Sequence, residues 1–207
     1  RIDCIKALYN TYGDSIDCSV EEHNALMIFV SNGHSNCLKK VFSIYYDRTD
    51  NDEQNLLMEF ARNGHVDCIT ALHNVHSDTF DCNAIDKYNK NALLLAAENG
   101  HADCITALYN IYGDKIDCNA IDKDKKRNAL MLATRSNRAD CITTLYKIYG
   151  DKIDCNAFDC YNYNVLMIAA VIGSTDCITA LYNSSGNKIN CNTVTIDKFN
   201  YNALMLA

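Results

Sequence analysis

The chain has 207 residues, 48% of them hydrophobic, and a formal charge of −7 from 19 basic and 26 acidic side chains. That balance argues against non-specific attachment to nucleic acid or to an anionic membrane surface. The longest apolar run, Val165 to Ile172, falls far short of the ~20 residues that span a bilayer, so no membrane insertion is expected, and no signal-peptide pattern opens at Arg1.

In chain order, the first segment, Arg1-Ile-Asp-Cys-Ile-Lys-Ala-Leu-Tyr9, repeats further on as His101-Ala-Asp-Cys-Ile-Thr-Ala-Leu-Tyr109. The chain is therefore expected to start inside a repeated unit. Further copies begin near Asn24 and Asn55, 31 residues apart (55 − 24). The connector between them is trimmed, which predicts a local irregularity in twist near Asp47 to Glu53. That acidic stretch lacks the glycine and closing glutamate of a calcium loop.

The best-matched copies begin at Asn91, Asn128 and Asn164. Asn91 is placed to cap a short helix over Ala92 to Asn99, its side chain accepting a backbone N–H. Gly100 breaks that helix as a C′ residue does. Asp103 suits the positive end of a second helix, which carries Cys104, Ile105, Leu108 and Ile111 at helical spacing and stops at Gly113. Turn formers and charges then predict an extended loop or hairpin from Asp114 to about Lys126. The end, Asn202-Ala-Leu-Met-Leu-Ala207, reads as a first helix without its partner, so a piece of a longer polypeptide is expected.

A period of about 36 residues means stacked supersecondary units. The expected division is a partial unit at 1–20, units at about 21–51, 52–84, 85–120, 121–157 and 158–193, and a partial unit at 194–207. Such a solenoid presents a long surface and contacts only neighbouring units within itself, so binding another macromolecule is its default role.

These units resemble the ankyrin repeat. Leu93, Ala96, Ala97, Gly100 and His101 match the first half of that family's pattern, and Asp117, Asn119 and Ala120 match its last motif, with Cys118 where valine is usual. The resemblance implies an all-α, helix-turn-helix, ankyrin-like repeat solenoid across essentially the whole chain. The departures are specific. Thr-Pro-Leu-His has become Asn-Ala-Leu-Leu or Asn-Ala-Leu-Met, and no proline occurs anywhere. The family's histidine that ties hairpin to helices is therefore missing, which leaves the hairpin geometry open.

Eleven of the twelve cysteines fall at two phases of the repeat, as Cys104 and Cys118 do, and only Cys160 is off-register. Successive repeats stack roughly 10 Å apart, the spacing of packed helices. A disulfide needs Cα atoms within about 7 Å. Reduced thiols acting as small buried hydrophobes are expected, which points to an intracellular, reducing compartment, the cytoplasm of the source cell or of a host. A weaker reading makes the same ladder a redox or soft-metal reservoir.

No catalytic or metal centre is expected, and no cofactor. His73 and His76 occupy the slots of Tyr109 and Tyr112 in the next copy, and two residues do not complete a zinc site. A Cys–His pair such as His101 and Cys104 recurs in several units, whereas an enzyme needs one site. In the family the resemblance points to, this histidine serves bonding between repeats.

The same resemblance implies that a partner is held by the hairpin tips and the exposed end of each first helix. Carried onto this chain, the tips supply Tyr88, Lys90, Lys126, Arg127, Tyr161, Tyr163, Phe199 and Tyr201, and the helix ends supply Glu98, Asn99, Arg135, Val171 and Ile172. Exposed aromatic anchors suit binding hot spots, and Lys123, Lys125, Lys126 and Arg127 form a basic cluster on an acidic chain. The aromatics either contact a partner or pack on neighbouring hairpins. The expected function is a non-enzymatic protein–protein interaction scaffold whose partner is another protein. The alternative is a targeting or regulatory arm of a larger protein whose catalytic domain lies outside these residues.

Overall fold

Three of the helix pairs start from a capping asparagine, and every described pair turns on one left-handed residue. In the computed structural model, which describes residues 51–76, 81–195 and 200–207, Asn91 holds extended backbone and its side-chain oxygen accepts from Leu94 N. Good helix formers follow to Asn99. Gly100 then takes φ 88° and its N–H reaches Ala96 O, closing the helix. Asn137 takes the equivalent place at φ 57° in the next repeat, asparagine being among the few side chains that visit this region.

The described helices are α1 (Asn51–Asn63), α2 (Val66–His76), α3 (Ala92–Asn99), α4 (Ala102–Tyr112), α5 (Ala129–Arg135), α6 (Ala139–Tyr149), α7 (Val165–Val171), α8 (Thr175–Ser185) and α9 (Ala203–Leu206). The odd-numbered helices pack in one row and the even-numbered ones in a second, with α1 on α2, α3 on α4, α5 on α6 and α7 on α8. No strand occurs among the described residues.

Burial follows from that layering. The helix α3 lies between α1 and α5 and is backed by α4, so Ala92 through Ala97 are all buried. A helix covered on three sides reads as a continuous apolar segment. The second row has one free side: α4 buries Cys104, Ile105, Leu108 and Tyr112 and exposes Asp103, Thr106 and Asn110. Cys68, Cys104, Cys141 and Cys177 are fully buried between the rows. Each fully buried leucine, such as Leu93 or Leu130, contributes roughly 1.5–3 kcal/mol.

The second-row helices end at Gly113, Gly150 and Gly186, with φ of 56°, 52° and 57° and ψ of −134°, −125° and −128°. Only glycine adopts that combination at ordinary cost. The loop expected directly after Gly113 begins instead with a single 3-10 turn, Gly113–Lys115, repeated at Gly150–Lys152 and Gly186–Lys188.

An aspartate then folds each of three hairpins. Asp86 Oδ1 accepts from Tyr88 N and Lys90 N, Asp122 Oδ1 from Lys125 N and Arg127 N, and Asp159 Oδ1 from Tyr161 N and Tyr163 N. This is the local side-chain-to-backbone bonding that aspartate favours. The hairpins also bond to each other, Lys123 N donating to Tyr88 O and Cys160 N to Lys125 O.

Asparagines join the repeats. Asn83 Nδ2 donates to Lys115 O while its Oδ1 accepts from Asp117 N; Asn119 treats Lys152 O and Asp154 N alike, and Asn156 does so with Lys188 O and Asn190 N. The capping asparagines add a second file, Asn128 Nδ2 donating to Asp154 O at 2.8 Å and Asn164 Nδ2 to Asn190 O at 3.2 Å. Lys152 pairs with Asp114 and Lys188 with Asp151 across the same junctions, but both pairs are exposed, so solvent screening leaves each with little net worth.

The partial unit at 1–20, nearly all of the unit at 21–51 and most of the Asp47 to Glu53 connector lie outside the described residues. Replacing Asn128 by alanine removes a helix cap, worth about 1 kcal/mol, and leaves a carbonyl of the next repeat without its donor, a further cost of about 1–3 kcal/mol. Urea unfolding followed by circular dichroism should therefore show the Asn128→Ala chain destabilised by about 2–4 kcal/mol. A change within a few tenths would refute the double role.

Candidate functional site

One pair of positions changes character from repeat to repeat, and it opens a groove. The residue just before each capping asparagine is Lys90, Arg127, Tyr163 and Tyr201 in turn, and the residue seven after the cap is Glu98, Arg135 and Val171. In the first of these repeats the two positions attract. Lys90 Nζ lies 2.8 and 2.7 Å from the Glu98 oxygens, strapping the hairpin to α3.

In the next repeat the same two places hold Arg127 and Arg135, which repel. Arg127 turns to the following hairpin instead, its Nη2 3.5 Å from Asp159 Oδ2. Its side chain is only 10% exposed, and that of Asp159 1%. Arg127 Nε is buried without a hydrogen-bond partner. Asp159 is saturated by comparison, since its other oxygen already accepts from Tyr161 N and Tyr163 N.

In the third repeat the positions hold Tyr163 and Val171, and the strap is replaced by apolar surface. The result is a groove of about 320 Å3, small for a ligand pocket, between the hairpins and the first-row helices. Its polar lining is Lys125, Arg127, Arg135 and Asp159; its apolar lining is Tyr161, Tyr163, Ile168, Val171 and Ile172. The Tyr161 and Tyr163 rings lie 6.4 Å apart. Lys125 Nζ sits 4.8 Å from the Tyr161 ring centroid and 2.7 Å from its hydroxyl. Tyr161 and Val171 nonetheless remain 55% and 48% exposed.

Six of the thirteen expected contact residues therefore meet in one place: Arg127, Arg135, Tyr161, Tyr163, Val171 and Ile172. The placement of Arg127 as a projecting tip needs correction, because its side chain is buried under the next hairpin. Lys90 and Glu98 are engaged with each other, and Asn99 Nδ2 donates to Leu95 O at the end of α3. Tyr88 is exposed at its own tip beside Lys87. Lys126 is exposed at a left-handed φ of 55°. Tyr201 is exposed in the last hairpin, away from the groove, and Phe199 lies outside the described residues.

Sequence reasoning overlooked Asp159 and Ile168, and also a row of exposed apolar side chains, Ile85, Ile121, Phe158 and Val194. Each of the first three precedes a hairpin aspartate in Asn-Ala-x-Asp, and Val194 precedes Thr195. That recurrence was the available signal. Ile85 and Ile121 line a second depression of about 540 Å3 edged by Lys87, Lys123 and Lys126.

Two of the described histidines make contacts between repeats. His101 Nε2 bonds Arg62 O of the preceding repeat at 2.9 Å, and His73 packs edge-on against Tyr112 with ring centroids 5.7 Å apart. All nine described cysteines are free thiols. Burial, reinforced by Asp103 and Asp140 respectively, pushes Cys104 and Cys141 up to about 12. Among the described residues no three His, Cys, Asp or Glu side chains converge to hold a metal ion, and no helix is long and apolar enough to cross a membrane.

A family model described as ankyrin repeats matches the chain in three overlapping copies, at residues 26–122, 57–159 and 109–195. No curated protein matches it.

Two outcomes follow from the thiols. A thiolate-selective reagent applied to the native chain at neutral pH should label Cys160 and Cys191, which are exposed, and leave Cys68, Cys104, Cys141 and Cys177 unlabelled until urea is added. Mass spectrometry of digested samples reads this, and early labelling of Cys104 would contradict it. The second outcome concerns pH. Cys104 and Cys141 hold their protons more tightly folded than unfolded, about 12 against 9.0, so their contribution is complete below pH 9 and declines as pH rises toward 12. Urea midpoints should be level up to about pH 8.5 and fall progressively above pH 9; midpoints that stay level to pH 11 would overturn the assignment.

Proposed function

The chain belongs to the ankyrin repeat family, and we propose that it works as a non-enzymatic scaffold, holding another protein in the groove between its hairpins and first-row helices. Ankyrin repeats are generally protein–protein interaction modules and are typically non-catalytic. The observation that carries the reading is the groove itself. Side chains from two successive repeats converge there, and Tyr161 and Val171 stay exposed on a floor of Ile168 and Ile172. Exposed aromatics over an apolar floor, edged by arginine, are the composition of binding hot spots.

Tyr88, Lys126 and Tyr201 extend the same surface along the hairpins, with Phe199 as a further candidate. Lys90, Glu98 and Asn99 are contact residues only at the edge of this reading, since each is already bonded within its own repeat. The free thiols support a reducing compartment as the place of action.

Selection of displayed random peptides against the folded chain tests the reading. Selected peptides should bind the native chain, and replacing Tyr161, Tyr163 and Ile172 together by serine should abolish that binding while helical circular dichroism is unchanged. Selected peptides that bind the triple variant as well as the parent would sink the surface assignment.

A further inference from the structure

We infer that the groove takes an acidic, hydrophobic segment of a partner protein, with a carboxylate set against Arg135 and a bulky apolar side chain held between Tyr161 and Val171. The inference rests on the groove being the binding surface and names the chemistry of what fills it.

The charge count is the first argument. Lys125, Arg127 and Arg135 line the groove against a single carboxylate, Asp159, a local sum of +2 (three minus one) on a chain whose net charge is −7. The second argument is how those charges are used. Asp159 is committed to Arg127 and to two backbone N–H groups. Lys125 rests on the ring and hydroxyl of Tyr161. Arg135 makes no ion pair among the described residues, whereas Glu98, its counterpart one repeat earlier, is paired with Lys90. Putting arginine where the neighbouring repeat has glutamate removes an internal carboxylate and leaves a guanidinium facing the groove.

The third argument is the state of Arg127. It is nine-tenths buried, its contact with Asp159 is a single long one, and its Nε has no acceptor. A buried cation so thinly compensated raises the positive potential of the cavity it lines, because screening there is weaker than in water. A carboxylate arriving at Arg135 meets that potential, and guanidinium offers it a two-pronged donor. The apolar half follows from Tyr163 and Val171, which replace the lysine–glutamate strap and leave a cleft with no side chain to close it. A basic segment would be repelled, and a polar neutral one would leave Ile168 and Val171 uncovered.

The test uses labelled peptides of about 12 residues in a Gly-Ser frame, carrying Asp-Phe-Asp, Lys-Phe-Lys or Asp-Ser-Asp at the centre, titrated by fluorescence anisotropy against the 207-residue chain. The Asp-Phe-Asp peptide should bind about tenfold or more tightly than either of the others, and should weaken as salt is raised. Arg135→Glu should cost about tenfold in its affinity and Arg135→Gln less. Lys147→Glu makes the same change in net charge on the exposed side of α6 and should leave affinity within about twofold, because salt screens a distant charge. Thermal melts of the three variants show whether each is folded. Equal binding of the lysine or serine peptide, or equal losses from Arg135→Glu and Lys147→Glu, would overturn the inference. Groove-dependent peptides from the display selection that lack acidic residues would also overturn it and leave the scaffold reading standing. A selection yielding no groove-dependent peptide would remove both.

Discussion

The asparagine that opens each of α3, α5 and α7 holds two neighbours with one amide, and the rest of the array depends on that arrangement. Its oxygen accepts from the third residue of its own helix, as Asn128 does from Met131 N, and its nitrogen donates to a carbonyl in the following repeat, here Asp154 O. Asn91, Asn128 and Asn164 are each 99% buried, so neither half of the amide has water to fall back on. A buried amide with a missing partner carries the full desolvation cost. The geometry that satisfies one half therefore dictates the other, and the start of each helix becomes tied to the register of the next repeat. The asparagine file of Asn83, Asn119 and Asn156 adds a second set of bonds from each repeat to the next.

Once those bonds set the register, the space between hairpin and helix is decided by only two side chains per repeat. Lys90 and Glu98 fill it with an ion pair, and Tyr163 and Val171 leave it open. The scaffold is indifferent to the choice, because neither position belongs to the asparagine files, and the aspartate turns use only the backbone N–H of the hairpin position, which any of these residues supplies. Variation is free there and expensive one residue away, at Asn91 or Asn164. A surface can thus be altered repeat by repeat while the backbone that presents it stays the same.

Much of the helical framework was legible before the fold was known. Asn91, Gly100 and Gly113 each marked an element boundary because each carries a backbone requirement in its own chemistry, a side-chain acceptor or a left-handed φ. The cysteine phase was legible for the same kind of reason, since a residue recurring once per repeat occupies one environment. What escaped were the links between side chains 30 or more residues apart. Asp159 lay unremarked because Arg127, 32 residues earlier, reaches it only after the repeats stack. Arg127 read as a projecting charge for a related reason. A residue next to Lys126 in a basic run looks solvated, and only the repulsion from Arg135 and the nearness of the next aspartate turn it inward.

That inward turn also explains why the groove lies where it does. Had Arg135 been a glutamate, as at Glu98, Arg127 would have had a partner on the helix of its own repeat and the strap of the preceding repeat would have been rebuilt. With two arginines the strap cannot form, and Arg127 crosses to Asp159 and helps bind one hairpin to the next. The lost internal ion pair costs the fold little, since the pair it replaces is only partly buried and such pairs are worth little net. The same exchange leaves a positive cleft on a negatively charged array. A charge pattern inverted relative to the whole molecule favours association of an oppositely charged segment at that one place and disfavours it elsewhere on the surface. If the groove takes an acidic segment as proposed, selectivity in this array rests on one ion pair broken at Arg127 and Arg135, with no change in the helices that frame it.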